Sequence, residues 1–360
     1  MEKRKESKVS EEKKYMVRMG DSTREYLTEA EIREDIENGV NDAVKRGKVP
    51  PLTAEDVEKL VEIITMPGTI TGVEFGRQVV STSDSGCTEM SEVYGIPIHK
   101  SAEALVYEKI IGTDSADFGW GDFSFKPVKG IAYRDAMQLQ NAQNNSVIPL
   151  LYAAMPNLGL YTKPDGTVEN WSELLPQGKI KEALAAQEEA AELAAKDIVT
   201  VADSMYKAGV DGINMDTCGA SGDADFLAAL KACEIIREKY PDMGVEIGMS
   251  SEFVIGMHGK LEYDGVRLAG LYPHDQVRMC EKAGATIFGA VVNTNSTKSF
   301  PWNIARVCTF LKECSNTAKI PIHANVGMGV CGIPLTEIVP SDVASRVGKA
   351  LIEICNLDGL

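Results

Sequence analysis

From Val147 onward the chain repeats one unit: an apolar run, a loop of Gly, Asn, Asp or Ser, then a stretch with helical apolar spacing. This rhythm constrains the fold more than any other feature. Apolar strands that alternate with amphipathic helices make a parallel sheet covered on its faces. The runs are Val147–Ala153, Val210–Asp216, Val245–Ser250, Ala285–Val292 and Ile320–Val326, and a sixth begins at Asn356. Helices are expected near 180–208, 222–240, 275–283, 299–315 and 341–355. No Gly-x-Gly-x-x-Gly follows a first strand, so a dinucleotide fold lacks its fingerprint. Polar residues instead gather at strand carboxyl ends, the working face of a (β/α)8 TIM-type barrel. Five strands and the start of a sixth fall short of eight, and the stretch is shorter than the ~250 residues typical of that fold. The expectation is an α/β barrel incomplete at the C-terminus. An unpaired last strand would need partners beyond Leu360.

Three segments are expected. Residues 1–14 form a charged tail, 15–146 an N-terminal hairpin, helices and irregular cap, and 147–360 the partial barrel. Tyr15 to Tyr26 reads as two short strands around Gly20-Asp21-Ser22. Thr28 with Glu31 makes a capping box for a helix that Gly47 and Pro50-Pro51 should end. Thr53 caps a second helix with Val57, Leu60, Val61 and Ile64 on one stripe. Two such helices ahead of a barrel suggest a cap or an oligomer contact, and a homo-oligomer is expected. Thr69 to Lys129 is rich in Gly, Ser and Thr and should be irregular apart from short pieces such as Val79-Val80.

Composition removes several functions. The formal net charge of −16 argues against nucleic acid, which is held by Lys and Arg on phosphates. It suits a small cation, and equally a merely soluble surface. No apolar run reaches the ~20 residues of a membrane span, and the charged start is not a secretory signal, so a cytoplasmic location is expected. The eight cysteines contain no Cys-x-x-Cys, and the four histidines do not sit at ligand spacing from them. Reduced, buried cysteines and no metal site are the reading.

The candidate site residues follow from position. Asp216 ends the Gly212-Ile213-Asn214-Met215-Asp216 strand, at a barrel mouth or merely at a strand end. Asp223, after a glycine turn, is better explained as a helix cap. Glu246 alternates with apolar neighbours; a carboxylate there is either functional or tied to a buried cation. Glu252 lies just past the strand end. His258, in a long loop through Gly256–Gly259 and Tyr263–Val266, is an acid/base candidate or an ordinary surface residue. Asn293, Asn295, His323 and Asn325 end the next two strands and offer hydrogen bonds suited to orienting an amine. Gly327 to Gly332 is either a flexible lip or a plain turn.

At these residues the chain resembles the dimethylamine:corrinoid methyltransferases. The matching stretches are Val17–Asp21, Phe125–Lys129, Val147–Leu150, Ala154–Asn157, Gly159–Tyr161, Gly256–Gly259, Leu268–Leu271 with Pro273-His274, Asn293–Asn295 and Gly327–Val330. The resemblance implies methyl transfer from dimethylamine to the cobalt(I) of a separate corrinoid protein, with no cofactor held tightly by this chain. It also implies a pyrrolysine in the barrel mouth whose imine, once protonated, is attacked by the amine. Glu252 and Asp216 are the candidate catalytic acids. Glu246, His258, Asn293, Asn295, His323 and Asn325 are the candidate substrate-binding groups. In the family pattern pyrrolysine follows an Asp-Gly-aliphatic triplet like Asp358-Gly359-Leu360, so an amber codon is expected at 361. The competing readings are a barrel that only binds or assembles the corrinoid protein, and an unrelated lyase or hydrolase using paired carboxylates.

Overall fold

A computed structural model describes residues 12–73, 79–83, 115–120, 128–131, 157–209, 212–256, 259–294, 297–327, 329–336 and 339–360. The expected strand Val147–Ala153, most of the Thr69–Lys129 stretch, Met1–Glu11 and Cys87 lie outside them. The chain opens on a hairpin of β1 (Lys14–Arg18) and β2 (Arg24–Thr28), paired antiparallel. α1 (Glu29–Gly47) follows at once, because Thr28 accepts the Glu31 N–H while the Glu31 carboxylate accepts the Thr28 N–H. α2 (Ala54–Thr65) begins the same way at Thr53, with Asp56 in the reciprocal place. α1 ends at Gly47, close to where the sequence places its end, and Lys48 takes the left-handed turn at φ 57°. Gly47 is also required for packing, since a Cβ there would lie 2.2 Å from the Phe310 ring.

β3 (Val79–Ser83) and β4 (Ser115–Trp120) pair in parallel. β5 (Val128–Ile131) then forms one edge of the main sheet. The remaining elements keep the strand–helix rhythm. α3 (Ile180–Lys207) leads to β6 (Gly212–Cys218), α4 (Asp223–Lys239) and β7 (Gly244–Met249). A small hairpin of β8 (Glu262–Tyr263) and β9 (Val266–Arg267) precedes α5 (Pro273–Lys282) and β10 (Ile287–Ala290). α6 (Phe300–Thr317), β11 (Ile322–Ala324) and α7 (Ser341–Glu353) complete the series.

The sheet order is β11-β10-β7-β6-β5. β6, β7, β10 and β11 are parallel and lie side by side in chain order, so the described strands reverse at no switch point. β5 lies antiparallel on the far side of β6. The last residues add to the other edge, where Gly359 bridges His323 in parallel and donates its N–H to the Ile322 carbonyl.

The parallel strands separate two faces. Ile213, Met215, Val245, Ile247, Met249, Phe288, Ala290, Ile322 and Ala324 are all within 1% of full burial and form the core under the helices. The alternate positions carry Asn214, Asp216, Glu246, Gly248, Gly289 and His323 to the opposite, inner face.

α1 and α2 pack into the body of the chain. Their buried residues, Ile32, Ile36, Val40, Leu60 and Ile63 among them, join the hydrophobic core cluster that also holds the sheet and its helices. α1 runs beside α6, with Asp35 accepting from Ser299 Oγ at 2.5 Å and Asp42 accepting from Arg306 Nε at 2.7 Å. α2 is tied to α6 and α7: Lys312 Nζ donates to Asp56, and Arg346 donates to the carbonyls of Ile63, Met66, Gly68 and Thr69. Gly39 sets the closest approach of α1 and α6, for a Cβ there would sit 2.2 Å from the Trp302 carbonyl oxygen. Gly39→Ala is therefore expected to destabilise the chain by about 1–3 kcal/mol, the usual range for overpacking. A shift in urea midpoint at constant slope would measure it.

Candidate functional site

The inner face takes its chemistry from strand alternation. On β6 the period of two puts Asn214 and Asp216 on one side and buries Ile213 and Met215 on the other. On β7 it does the same for Glu246 and Gly248. The register aligns Asn214 with Glu246, and Gly248 with Gly289 and then His323. Glu246 is nine-tenths buried, and its Oε1 lies 3.1 Å from His323 Nδ1. The two residues are on strands separated by β10, so the contact crosses an intervening strand. Gly289 permits it: a Cβ at that position would come within 3.2 Å of Glu246 Oε1. Gly248 leaves a similar gap, facing Asn214 Oδ1 and Asp216 Oδ1. Two adjacent glycines thus form a floor, rimmed by carboxylate, amide and imidazole groups.

Glu252 has a different setting. It is 4% exposed and receives two hydrogen bonds from Arg306, Nη1 to Oε2 at 2.6 Å and Nη2 to Oε1 at 2.5 Å. Arg306 also donates to Asp42 and to the Asn293 carbonyl. Burial works against the charge on Arg306, but the carboxylates of Glu252 and Asp42 outweigh it and hold the guanidinium more firmly protonated than usual. Burial likewise raises the Asp42 carboxyl, and the hydrogen bonds from Arg306 and Arg46 outweigh it and keep it low. Asn293 belongs to the same cluster, since its Oδ1 accepts the Glu252 N–H at 3.1 Å. This arrangement joins the loop after β7 to the loop after β10 and fastens both to α6.

The structure thus brings Asp216, Glu246 and His323 to one face and sets Glu252 and Asn293 in a buried ion-pair cluster beside it. Asn325 is exposed at the end of β11 and donates its N–H to the Ala290 carbonyl. Asn295 and His258 lie outside the described residues. Among the described residues no group of His, Cys, Asp or Glu is placed to hold a metal ion. Seven cysteines are buried thiols, and burial raises Cys218, Cys280 and Cys355 well above the usual range.

Asp223 and Asp225 support the rim. Asp223 is the first residue of α4, behind Gly222 as the cap, and accepts the Leu261 N–H. A Cβ at Gly256 would lie 2.7 Å from its Oδ2, so the loop after β7 packs directly on this carboxyl. Asp225 turns back beneath the β6–α4 loop and accepts the Ser221 N–H at 3.3 Å. Burial pushes its carboxyl up to about 7, against backbone N–H groups of residues 219–221 that favour the charged form.

The family model described as Dimethylamine methyltransferase (Dimeth_PyL) matches residues 13–360. The chain belongs to the dimethylamine methyltransferase family. No solved structure matches it. The match takes in the hairpin and α1 as well as the sheet, in keeping with their shared core. No helix among the described residues is long and apolar enough to cross a membrane. Sequence reasoning missed Asn214, Gly248, Gly289 and Arg306 in this methyltransferase. The alternation with apolar neighbours that marked Glu246 would also have marked Asn214.

Proposed function

We propose that this member of the dimethylamine methyltransferase family moves a methyl group from dimethylamine to the corrinoid of a separate protein. The inner sheet face is taken as its site. The observation that carries this reading is the Glu246–His323 pair spanning Gly289, inside a chain matched to the family from residue 13 to 360. When present, the corrinoid supplies the methyl acceptor and a pyrrolysine the electrophilic imine. The chain's own groups fit the amine end: a glycine floor with acceptor oxygens at its edge.

Their roles follow from geometry. Glu246 faces His323 Nδ1 and so fixes the ring and the nitrogen that carries the proton on that side. His323 is then the group that holds and moves a proton at the site. Asp216 presents a second carboxylate, suited to an ammonium ion in a setting where little water competes. We assign Glu252 to the frame and not to proton transfer, because Arg306 occupies both its oxygens. The reading includes pyrrolysine at position 361 and a barrel completed by later strands. It is supported by alternation: Gly359 pairs with His323, and a residue two places further along that strand faces the same side.

The test is methyl transfer from dimethylamine by the protein from the full reading frame with a corrinoid protein, and mass spectrometry across residue 361. His323→Asn and Glu246→Gln are each expected to lower kcat by about 100-fold or more, the usual span of acid–base catalysis. Turnover indifferent to both substitutions, or a serine-to-tyrosine-type ordinary side chain at 361 in an active enzyme, would count against it.

A further inference from the structure

We propose that Asn214 and Asp216 form a two-acceptor seat for a secondary ammonium ion over Gly248, which makes Asn214 a specificity-determining residue. The proposal deepens the dimethylamine reading and rests on it. Asn214 Oδ1 is buried and accepts no hydrogen bond. Buried acceptors nearly always have a donor, so one left open on a functional face points to a donor brought by a ligand. The position of that oxygen says where the donor goes. Asn214 Oδ1 lies 3.3 Å, and Asp216 Oδ1 3.5 Å, from the point a Cβ of residue 248 would occupy. Both oxygens therefore border the same small hollow, and it exists because residue 248 has no side chain. Gly289 closes the side toward β10, where a Cβ would meet Gly248 Cα at 2.8 Å and Glu246 Oε1 at 3.2 Å.

The chemistry of the rim selects the guest. An amide oxygen and carboxylate oxygens accept hydrogen bonds and donate none. They suit a cation with N–H groups and reject an anion. A dimethylammonium ion carries two N–H donors and two methyls; a trimethylammonium ion carries one donor. The second N–H of dimethylammonium gives Asn214 Oδ1 the donor it lacks, and trimethylammonium has no second N–H to give. A site built to bond a donor discriminates against the analogue that lacks it, because its own buried group then goes unpaired. Asp216 takes the N–H common to both ions, and Asn214 the one that separates them.

The experiment is calorimetric titration of the protein with dimethylammonium and trimethylammonium chloride, with no corrinoid partner required. Asn214→Leu is expected to weaken dimethylammonium binding about 10-fold or more, the span of a charge-assisted hydrogen bond. Trimethylammonium binding should change by less than about 2-fold on the same scale. Asn214→Asp, which keeps an acceptor in place, should retain dimethylammonium binding. Gly248→Ala should abolish both. Thermal melts identify any variant that fails to fold, and Asn214→Ser then replaces Asn214→Leu. Absence of dimethylammonium binding, an equal loss for both ions in Asn214→Leu, or unchanged binding in Gly248→Ala would overturn the proposal. Asn214-dependent binding in a protein that transfers no methyl group would leave the seat standing and remove the methyltransferase reading. Transfer with binding indifferent to Asn214 would do the reverse.

Discussion

Arg306→Ala is expected to destabilise the protein by about 3–5 kcal/mol, the range for breaking a buried ion pair on one side. Arg306 is 5% exposed and is the shared cation of Glu252 and Asp42. Its removal strands the Glu252 carboxylate, which is 4% exposed. It also frees the Asn293 carbonyl, so the loops after β7 and β10 lose their common anchor. The paired change Arg306→Met with Glu252→Leu should recover much of the loss, because a buried ion pair replaced by apolar groups is often neutral. Urea unfolding of the single and double variants measures this. A single variant within about 0.5 kcal/mol of the parent, as for a typical surface substitution, would rule out the frame role.

The second large effect concerns pH. Asp225 is 1% exposed, and burial raises its carboxyl to about 7 in the folded chain. An unfolded aspartate sits near 3.9. Between these values the folded state binds the proton that the unfolded state has lost. Stability from this group is thus fully present below about pH 4 and is lost as pH rises through about 7. Three pKa units correspond to roughly 4 kcal/mol, of which roughly 3 falls between pH 5 and pH 8. Asp225→Asn removes the titration while keeping an acceptor for the Ser221 N–H. Relative to the parent, the variant should gain roughly 3 kcal/mol of stability on going from pH 5 to pH 8. Parallel stability–pH curves for parent and variant would contradict the assignment.

What was legible in the sequence was local. The capping box at Thr28 needs only Glu31, three residues on, and the helix starts where it predicts. The apolar runs at Val210–Asp216 and Val245–Ser250 mark strands, and the structure has β6 and β7 there. The role of Glu252 was not legible, because its partner lies inside a helix 54 residues away. Arg306 stands among apolar residues of α6 with no local sign of its task. Gly289 carries no sequence signal, since its importance depends on β10 lying between β7 and β11. The sequence also left open that α1 lies beside α6. An amphipathic stripe says that a helix is covered, and nothing in it says by what.

The attachment of α1 and α2 has a consequence for how the protein is made. Asp42 and Arg306 are 264 positions apart, and Ile63 and Arg346 are 283 apart. A ribosome adding ~5–20 residues per second needs on the order of tens of seconds to deliver the second member of each pair. Throughout that interval two finished helices wait with their apolar stripes uncovered. Their burial is a late event with a large loop to close, which slows folding and lengthens exposure to aggregation. Biogenesis of this chain therefore depends on what shields its first sixty residues until the last helices emerge.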